Sequence, residues 1–511
     1  MNSIHIQPFP FPSSSPCSSK SIMKKKKKSM KKNLRSSAVT LPRFSKWAQQ
    51  DLISRLPDDI LHIILSKLPI RDAAVTTSVS KRWAPLFPTL PYLKIDAASF
   101  NPRDSEMNRR YRRVHVEDAN DWIDTLFYVL GTHQVPVERF EIAVEILDYC
   151  ELDFYEVFDE LCDSGVKELV IKNFYFRVLY DIPLPVFSCE TIVKLEMSYC
   201  RLEVPSNLTG LRAVKFLVLT YVSVSNGHLR RLISWCKAME KLVVTYCFKV
   251  TNIVIHAPNL SELEISVCRP VGISLKNYPR LASVAVSFGF DNDYWRKYLL
   301  SKERKESGGT NEATKLVTFL NGLCGVKDLR LNFSFEYRLI LSKERIPLPT
   351  RLSPKCFLVE LKKLCLSWPN HYHFFNTIVS CLLNSSPYLM ELIICVDTSY
   401  DSIFCPTALA LDFWYKQVPA ECVKNHLTSA TFYWADYILE DSFDFPRFLL
   451  LNAGTLKKMN IFYSGELKEE SETAEIIKNE LLTVQMASPN VEMTIQPIIS
   501  RNRYISSFWI S

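Results

Sequence analysis

Glycine is scarce in this chain, with 12 in 511 residues, and none falls into G-x-G-x-x-G or G-x-x-x-x-G-K-[ST]. A nucleotide's phosphates would find no glycine-rich backbone cradle here. G-x-S-x-G is missing too, and with it the strained turn that exposes a hydrolase's serine. No apolar run approaches the roughly 18 residues of a membrane-spanning helix. The 15 cysteines include no C-x-x-C pair, and no histidine spacing accompanies them, so no zinc site is expected. With no signal-peptide pattern they read as reduced thiols, several of them small core residues. The triplets Asn207-Leu208-Thr209 and Asn332-Phe333-Ser334 would then carry no glycan. His371-Tyr372-His373 brings two imidazoles together only on a strand face, with no third ligand nearby, and reads as a polar loop. These gaps predict a chain without catalytic residues, cofactor or metal.

Acids are absent from the first 50 residues, which hold 11 Lys and Arg. That leader accounts for the whole net charge of +8, because the remainder carries 51 basic against 54 acidic residues. Nothing in the body suggests a nucleic-acid-binding surface. The leader is Ser/Pro-rich and then basic, has little to bury, and is expected to be disordered. Its run Lys24, Lys25, Lys26, Lys27, Lys28, Lys31 and Lys32 suits an acidic groove that captures extended basic peptides, as in nuclear import. A solvated tail remains open. So does a transit peptide, which fits the Ser-rich, acid-free composition but not the single block of lysines. Nucleus, cytoplasm or both are the expected locations.

What the chain does have begins at residue 51. Hydrophobic content of 47% leaves ample material for cores. Pro57 precedes Asp58 and Asp59, which suit the positive end of a helix dipole. Ile60, Leu61, Ile64, Leu65 and Leu68 then recur at helical spacing, Pro69 stops the helix, and Arg71 to Ser78 allows a second short one. Lys81, Arg82, Trp83 and Phe87 follow. About 45 residues cannot bury this much aliphatic surface internally. The surplus wants a partner.

The pieces Leu56-Pro57-Asp58-Asp59-Ile60, Ile64-Leu65, Leu68-Pro69 and Val79-Ser80-Lys81-Arg82-Trp83 resemble, in order and spacing, the F-box of cullin-based ubiquitin ligases. The departures are Val79 for a usual leucine, Ala84 for a common arginine and Phe87 for a common tryptophan. The resemblance implies a Skp-family adaptor as partner, and through it a cullin. It also implies contacts from Leu56, Pro57, Ile64, Leu65, Leu68, Pro69, Val79 and Trp83, some packing internally and some facing the adaptor.

An internal repeat runs from about residue 161: an apolar residue, two others, an apolar residue, one other, an apolar residue. It occurs as Val166/Leu169/Ile171, Ile192/Leu195/Met197, Val214/Leu217/Leu219, Met239/Leu242/Val244, Leu260/Leu263/Ile265 and Leu281/Val284/Val286. It returns as Val326/Leu329/Leu331, Leu361/Leu364/Leu366 and Leu389/Leu392/Ile394. Steps between middle residues are 26, 22, 25, 21 and 21, then 45, 35 and 28, the longest holding a polar insertion at residues 301–310. This is a leucine-rich repeat that drifts. Cys200, Cys247 and Cys268 take the small buried position under the turn. Each unit predicts one short parallel strand with Leu, Ile or Val inward. The outward pairs are Glu196/Ser198, Val218/Thr220, Val243/Thr245, Glu264/Ser266, Arg330/Asn332 and Cys365/Ser367. Their mixed character favours a protein target over a polyanion, with Glu196, Ser198, Glu264, Ser266 and Arg330 as target-binding residues.

Pro419-Ala420-Glu421-Cys422 and Asn452-Ala453-Gly454-Thr455-Leu456-Lys457-Lys458-Met459 resemble the FBD region that closes many plant F-box/leucine-rich-repeat proteins, although Ala435-Asp436-Tyr437 lacks the expected glycine. The expected architecture is α/β: a short N-terminal helical F-box, then a curved leucine-rich-repeat solenoid with a C-terminal FBD-like cap. In boundaries it reads 1–50 leader, 51–95 F-box, 96–160 connection and solenoid start, 161–410 repeats, 411–495 FBD-like region and 496–511 tail. The resemblance implies the substrate-recognition subunit of a Skp-cullin-F-box ubiquitin ligase, acting by proximity. A repeat scaffold without a ligase link is the alternative. A small-molecule receptor lacks a basic pocket signature.

Overall fold

The structure, a computed structural model, describes residues 52–96, 126–144, 151–173, 179–267, 271–289, 312–333, 349–369, 373–397, 413–434, 443–464 and 470–498. The leader with Lys24 to Lys32, Cys268, the 301–310 insertion, His371, Tyr372 and Ala435-Asp436-Tyr437 lie outside these residues. The chain divides into two units. Among the described residues, one holds 52–93 and 126–136, the other 94–96 and everything from 137.

In the first unit, Pro57 and Pro69 stand immediately before the helices Asp58–Leu65 and Ile70–Val75, where a missing N–H costs nothing. Asp58, Asp59 and Asp72 occupy the first turns, beside the positive dipole ends. Thr76, Thr77 and Ser78 end the second helix by donating their hydroxyls to the Ala73, Ala74 and Val75 carbonyls at 2.6, 2.7 and 2.8 Å. Helices of eight and six residues are not stable alone, so packing sustains them. Leu61, Leu65, Ile70, Ala73, Leu86, Phe87 and Leu90 form the core with Leu126, Val129 and Leu130 of the helical residues 126–132. His133 closes this core, with its ring nitrogens 3.0 Å from the Leu90 carbonyl and 3.3 Å from that of Val129.

The second unit is organised by one sheet, fourteen strands among the described residues, with spatial order equal to chain order and parallel pairing from Arg139–Val144 onward. The strands are β1 (Tyr92–Asp96, whose last three residues count to this unit), β2 (Arg139–Val144), β3 (Glu168–Asn173), β4 (Lys194–Ser198) and β5 (Phe216–Thr220). There follow β6 (Lys241–Thr245), β7 (Glu262–Val267), β8 (Ser283–Phe288), β9 (Asp328–Phe333) and β10 (Lys363–Pro369). The last four are β11 (Glu391–Asp397), β12 (Ser429–Trp434), β13 (Lys458–Ser464) and β14 (Glu492–Ile498). Helices such as Glu151–Asp163, Asn226–Trp235 and His373–Ser385 return the chain between strands, as do segments of two smaller parallel sheets.

Strand register follows the repeat. The middle residues of the triplets align as Leu169, Leu195, Leu217, Leu242, Leu263, Val284, Leu329, Leu364 and Leu392, and the third residues align beside them. All are buried, because each strand covers its neighbour's inward side chains. Ion pairs at several strand entrances favour the same register. Arg139 meets Glu168 at 3.4 Å, Lys241 meets Glu262 at 2.9 Å and Lys363 meets Glu391 at 3.2 Å, each pair on adjacent strands.

Three tyrosines mark the exits of β4, β5 and β6. Tyr199, Tyr221 and Tyr246 have φ of 56, 54 and 50°, a left-handed conformation uncommon outside glycine. Their N–H groups donate to the next strand at Thr220, Thr245 and Ser266. The rings stack at centroid distances of 4.7 and 5.4 Å. Cys200 is buried beside this turn, as its repeat position predicts, and donates to the Ser198 carbonyl.

Candidate functional site

Two surfaces collect the residues singled out by sequence. The first lies on the helices of the first unit. Leu61 and Leu65 point inward, while Ile60, Ile63, Ile64 and Leu68 on the same helix and its exit are exposed, followed by Val75 and Val79. Val79 is 68% exposed and Ile63 54%. Six uncovered aliphatic side chains within 20 residues form an apolar patch that needs a partner.

The predicted residues sort by role. Ile64, Leu68 and Val79 lie on the exposed patch. Leu65 does not: at 1% exposure it is a core residue, held there because it shares the inward stripe with Leu61. Trp83 is partly buried, and its indole N–H donates to Ser54 Oγ at 2.6 Å. Arg82, beside it, ion-pairs with Asp58 and donates to the Leu56 carbonyl at 3.2 Å. The hydrogen bond that Arg82 donates to Asp58 holds the carboxyl below its usual pKa. The Ser-Lys-Arg-Trp motif therefore fastens the Leu-Pro-Asp motif, and Pro57 and Pro69 set the helix starts. Sequence reasoning missed Ile60, Ile63 and Val75 as surface residues. Their helical spacing was visible, but a helix apolar on nearly every side gives no sign of which stripe faces inward.

The second surface is the sheet face opposite the triplets. Two rows run across it in register. One passes through Glu141, Val170, Glu196, Val218, Val243, Glu264, Ala285, Arg330, Cys365 and Ile393. The other contains Lys172, Ser198, Thr220, Thr245, Ser266, Ser287, Asn332, Ser367 and Cys395. All five predicted target-binding residues lie on these rows, but not in one cluster. Glu196 and Glu264 are three strands apart, about 14 Å at the usual strand spacing.

Their charges are mostly satisfied within the chain. Glu196 pairs with Lys172 at 2.9 Å and Arg330 with Asp328 at 3.1 Å. Burial opposes the charge on Arg330, but the hydrogen bond and charge of Asp328 prevail and hold its pKa above the usual value. Glu264 behaves oppositely: desolvation raises its pKa despite the attraction of Lys241 and Arg330.

The face is not open throughout. Ser198, Cys365 and Ser367, expected outward, are buried at 9%, 1% and 5% exposure, so Ser198 is on the row but does not offer the free hydroxyl expected of a target-binding residue. Cys365, Ile393 and Cys395 pack together with Tyr433 against them, a second small core on the side of the sheet opposite the triplets. The cause is composition, since β10 to β12 carry apolar or small residues on both faces. Among the described residues, no group of three His, Cys, Asp or Glu side chains could hold a metal, and no helix is long and apolar enough to cross a membrane.

Comparison with known proteins matches both units. The F-box domain model covers residues 53–92, and the model "FBD-associated F-box protein At5g56370, LRR repeats" covers residues 154–294. The chain thus resembles plant F-box/FBD/leucine-rich-repeat proteins, with an F-box match in one unit and a repeat match in the other. It is 31% identical over 245 residues to F-box/FBD/LRR-repeat protein At1g13570 of Arabidopsis thaliana, covering 48% of this chain and 55% of that one. It is 27% identical over 232 residues to At1g80470 of the same name and organism, covering 44% and 47%. The matches thus span about half the length of these two relatives. A third Arabidopsis thaliana relative, F-box/FBD/LRR-repeat protein At2g04230, is 27% identical over 470 residues, 88% of this chain and 97% of that one. The exposed aliphatic patch falls within the F-box match, and β3 to β8 fall within the repeat match.

Proposed function

We propose that this protein is the substrate-recognition subunit of a Skp-cullin-F-box ubiquitin ligase. The carrying observation is the patch of Ile60, Ile63, Ile64, Leu68, Val75 and Val79, left uncovered by a unit that buries Leu61 and Leu65. A Skp-family adaptor covers the patch and brings a cullin; the strand face of the repeats captures a target protein. The protein performs no chemistry. It raises the target's effective concentration at the ligase. The stacked repeats form one solenoid, and residues 411–495 cap it in the manner of an FBD region. The leader lysines Lys24 to Lys28, Lys31 and Lys32 direct part of the protein to the nucleus.

Affinity purification of tagged protein from plant tissue, followed by mass spectrometry, tests this reading. Recovery of a Skp-family adaptor and a cullin, lost when Leu68 and Val79 are both changed to Asp, is the expected result. Recovery of partners without any adaptor would leave a repeat scaffold with no ligase link.

A further inference from the structure

The face acids are not equivalent. Glu141 is ion-paired to Arg139 at 3.3 Å and Glu196 to Lys172 at 2.9 Å. Beside Glu264, Lys241 is engaged by Glu262 at 2.9 Å and Arg330 by Asp328 at 3.1 Å. Glu264 itself, half-buried near the middle of the sheet, has no ion pair within 4 Å among the described residues. One carboxylate oxygen of Asp328, two strands away, is also buried without a hydrogen-bond partner. Among the described residues around it, Glu262, Glu264 and Asp328 thus outnumber Lys241 and Arg330 by one negative charge. Partial burial raises the pKa of Glu264, the mark of a carboxylate short of compensation.

The apolar part of the row adjoins it. Val218 and Val243 occupy the same position on β5 and β6 as Glu264 does on β7. At about 4.8 Å between strands, the midpoint of the two valines lies roughly 7 Å from Glu264. Alternate side chains of an extended segment crossing the strands are also about 7 Å apart.

We propose that the target presents an extended segment in which a Lys or Arg on Glu264 stands two residues from an aliphatic side chain on Val218 and Val243. This rests on the reading of the strand face as the target-capturing surface and names the chemistry it selects. The cation supplies the charge Glu264 lacks, and the aliphatic group removes two valines from water.

The probe is a displayed library of random seven-residue peptides, selected on the full-length protein, on Glu264→Gln and Glu264→Lys, and on Val243→Asp. Thermal unfolding of each variant confirms the fold. The wild type should enrich peptides with Lys or Arg two positions from Val, Ile or Leu. Glu264→Gln should reduce the basic preference about tenfold while keeping the aliphatic one, Glu264→Lys should replace it with Asp or Glu, and Val243→Asp should lose the aliphatic position. Peptides lost in Val243→Asp but showing no basic preference, or a basic preference unchanged by Glu264→Gln, would overturn the inference alone. Selection insensitive to every face variant, or no selection at all, would overturn it together with the capturing role of the face.

Discussion

At the scale of single residues, the fold depends on positions where one atom decides. A Cβ added at Gly210 would lie 2.3 Å from the Ser188 carbonyl carbon and 2.4 Å from the Cys189 carbonyl oxygen, both backbone. The Gly210 carbonyl meanwhile accepts the Trp235 indole N–H at 2.7 Å, so the loop has little room to retreat. Gly210→Ala should therefore cost about 1–3 kcal/mol in denaturant unfolding. His133 sets a pH dependence in the first unit. Burial lowers its pKa from 6.5, against two carbonyl contacts that favour the charged ring. Below about pH 6.5 the unfolded chain takes up a proton that the folded ring resists, so this contribution is present above that pH and is lost as pH falls. Unfolding of wild type and His133→Gln between pH 7.5 and 5 should show a shallower loss in the variant; equal slopes would assign the dependence elsewhere. Arg82 unites distant motifs in one contact set, and Arg82→Ala should loosen both the Asp58 and the Leu56 attachments.

At the scale of elements, the triplets and their register were the most legible feature of the sequence. A period of three apolar positions, with side chains alternating along a strand, leaves one way to stack the units, and Leu242 sits fully buried between Leu217 and Leu263. Leu242→Asp should accordingly cost several kcal/mol, on the order of 3 or more, while Ser266→Ala should stay within about 0.5 kcal/mol in thermal unfolding. Strands with weaker versions of the pattern were less visible. In β12 the middle leucine is replaced by Ala430, which still aligns with Leu392 and Met459. In β14, Met493 and Ile495 continue the rows beside Met459 and Ile461 of β13. The candidate site was half legible. The outward positions of Glu196, Glu264, Ser266 and Arg330 follow from alternation alone, while Ser198 takes the expected row but is buried. The burial of Cys365 and Ser367 does not, because it depends on Ile393, Cys395 and Tyr433, which come from other strands. In the helices Asp58–Leu65 and Ile70–Val75 the pattern identified an apolar element but not its inward stripe, so sequence could not sort the internal Leu65 from the exposed Ile64.

At the scale of the whole molecule, the proposed function assigns the two units separate tasks, so a change confined to one surface should leave the other working. Changing Lys24 to Lys28, Lys31 and Lys32 to Ala should lower the nuclear share of a fluorescently tagged protein without altering adaptor binding; an unchanged distribution would make the run a solvated tail, and plastid import would favour a transit peptide. The central claim is that the uncovered patch of the F-box unit is an adaptor-docking surface. Calorimetric titration of a purified Skp-family adaptor into the full-length protein tests it most directly, using wild type, Leu68→Ala/Val79→Ala and Leu65→Ala. Leu68 and Val79 are exposed, so their double variant should melt as wild type does yet bind more weakly by about 2 kcal/mol or more. Leu65→Ala removes buried volume and should lower the melting temperature of the unit, by about 2–5 kcal/mol of stability. Adaptor binding by the wild type that the folded Leu68/Val79 variant loses is the predicted result; no binding by the wild type, or binding indifferent to these two residues, would contradict it.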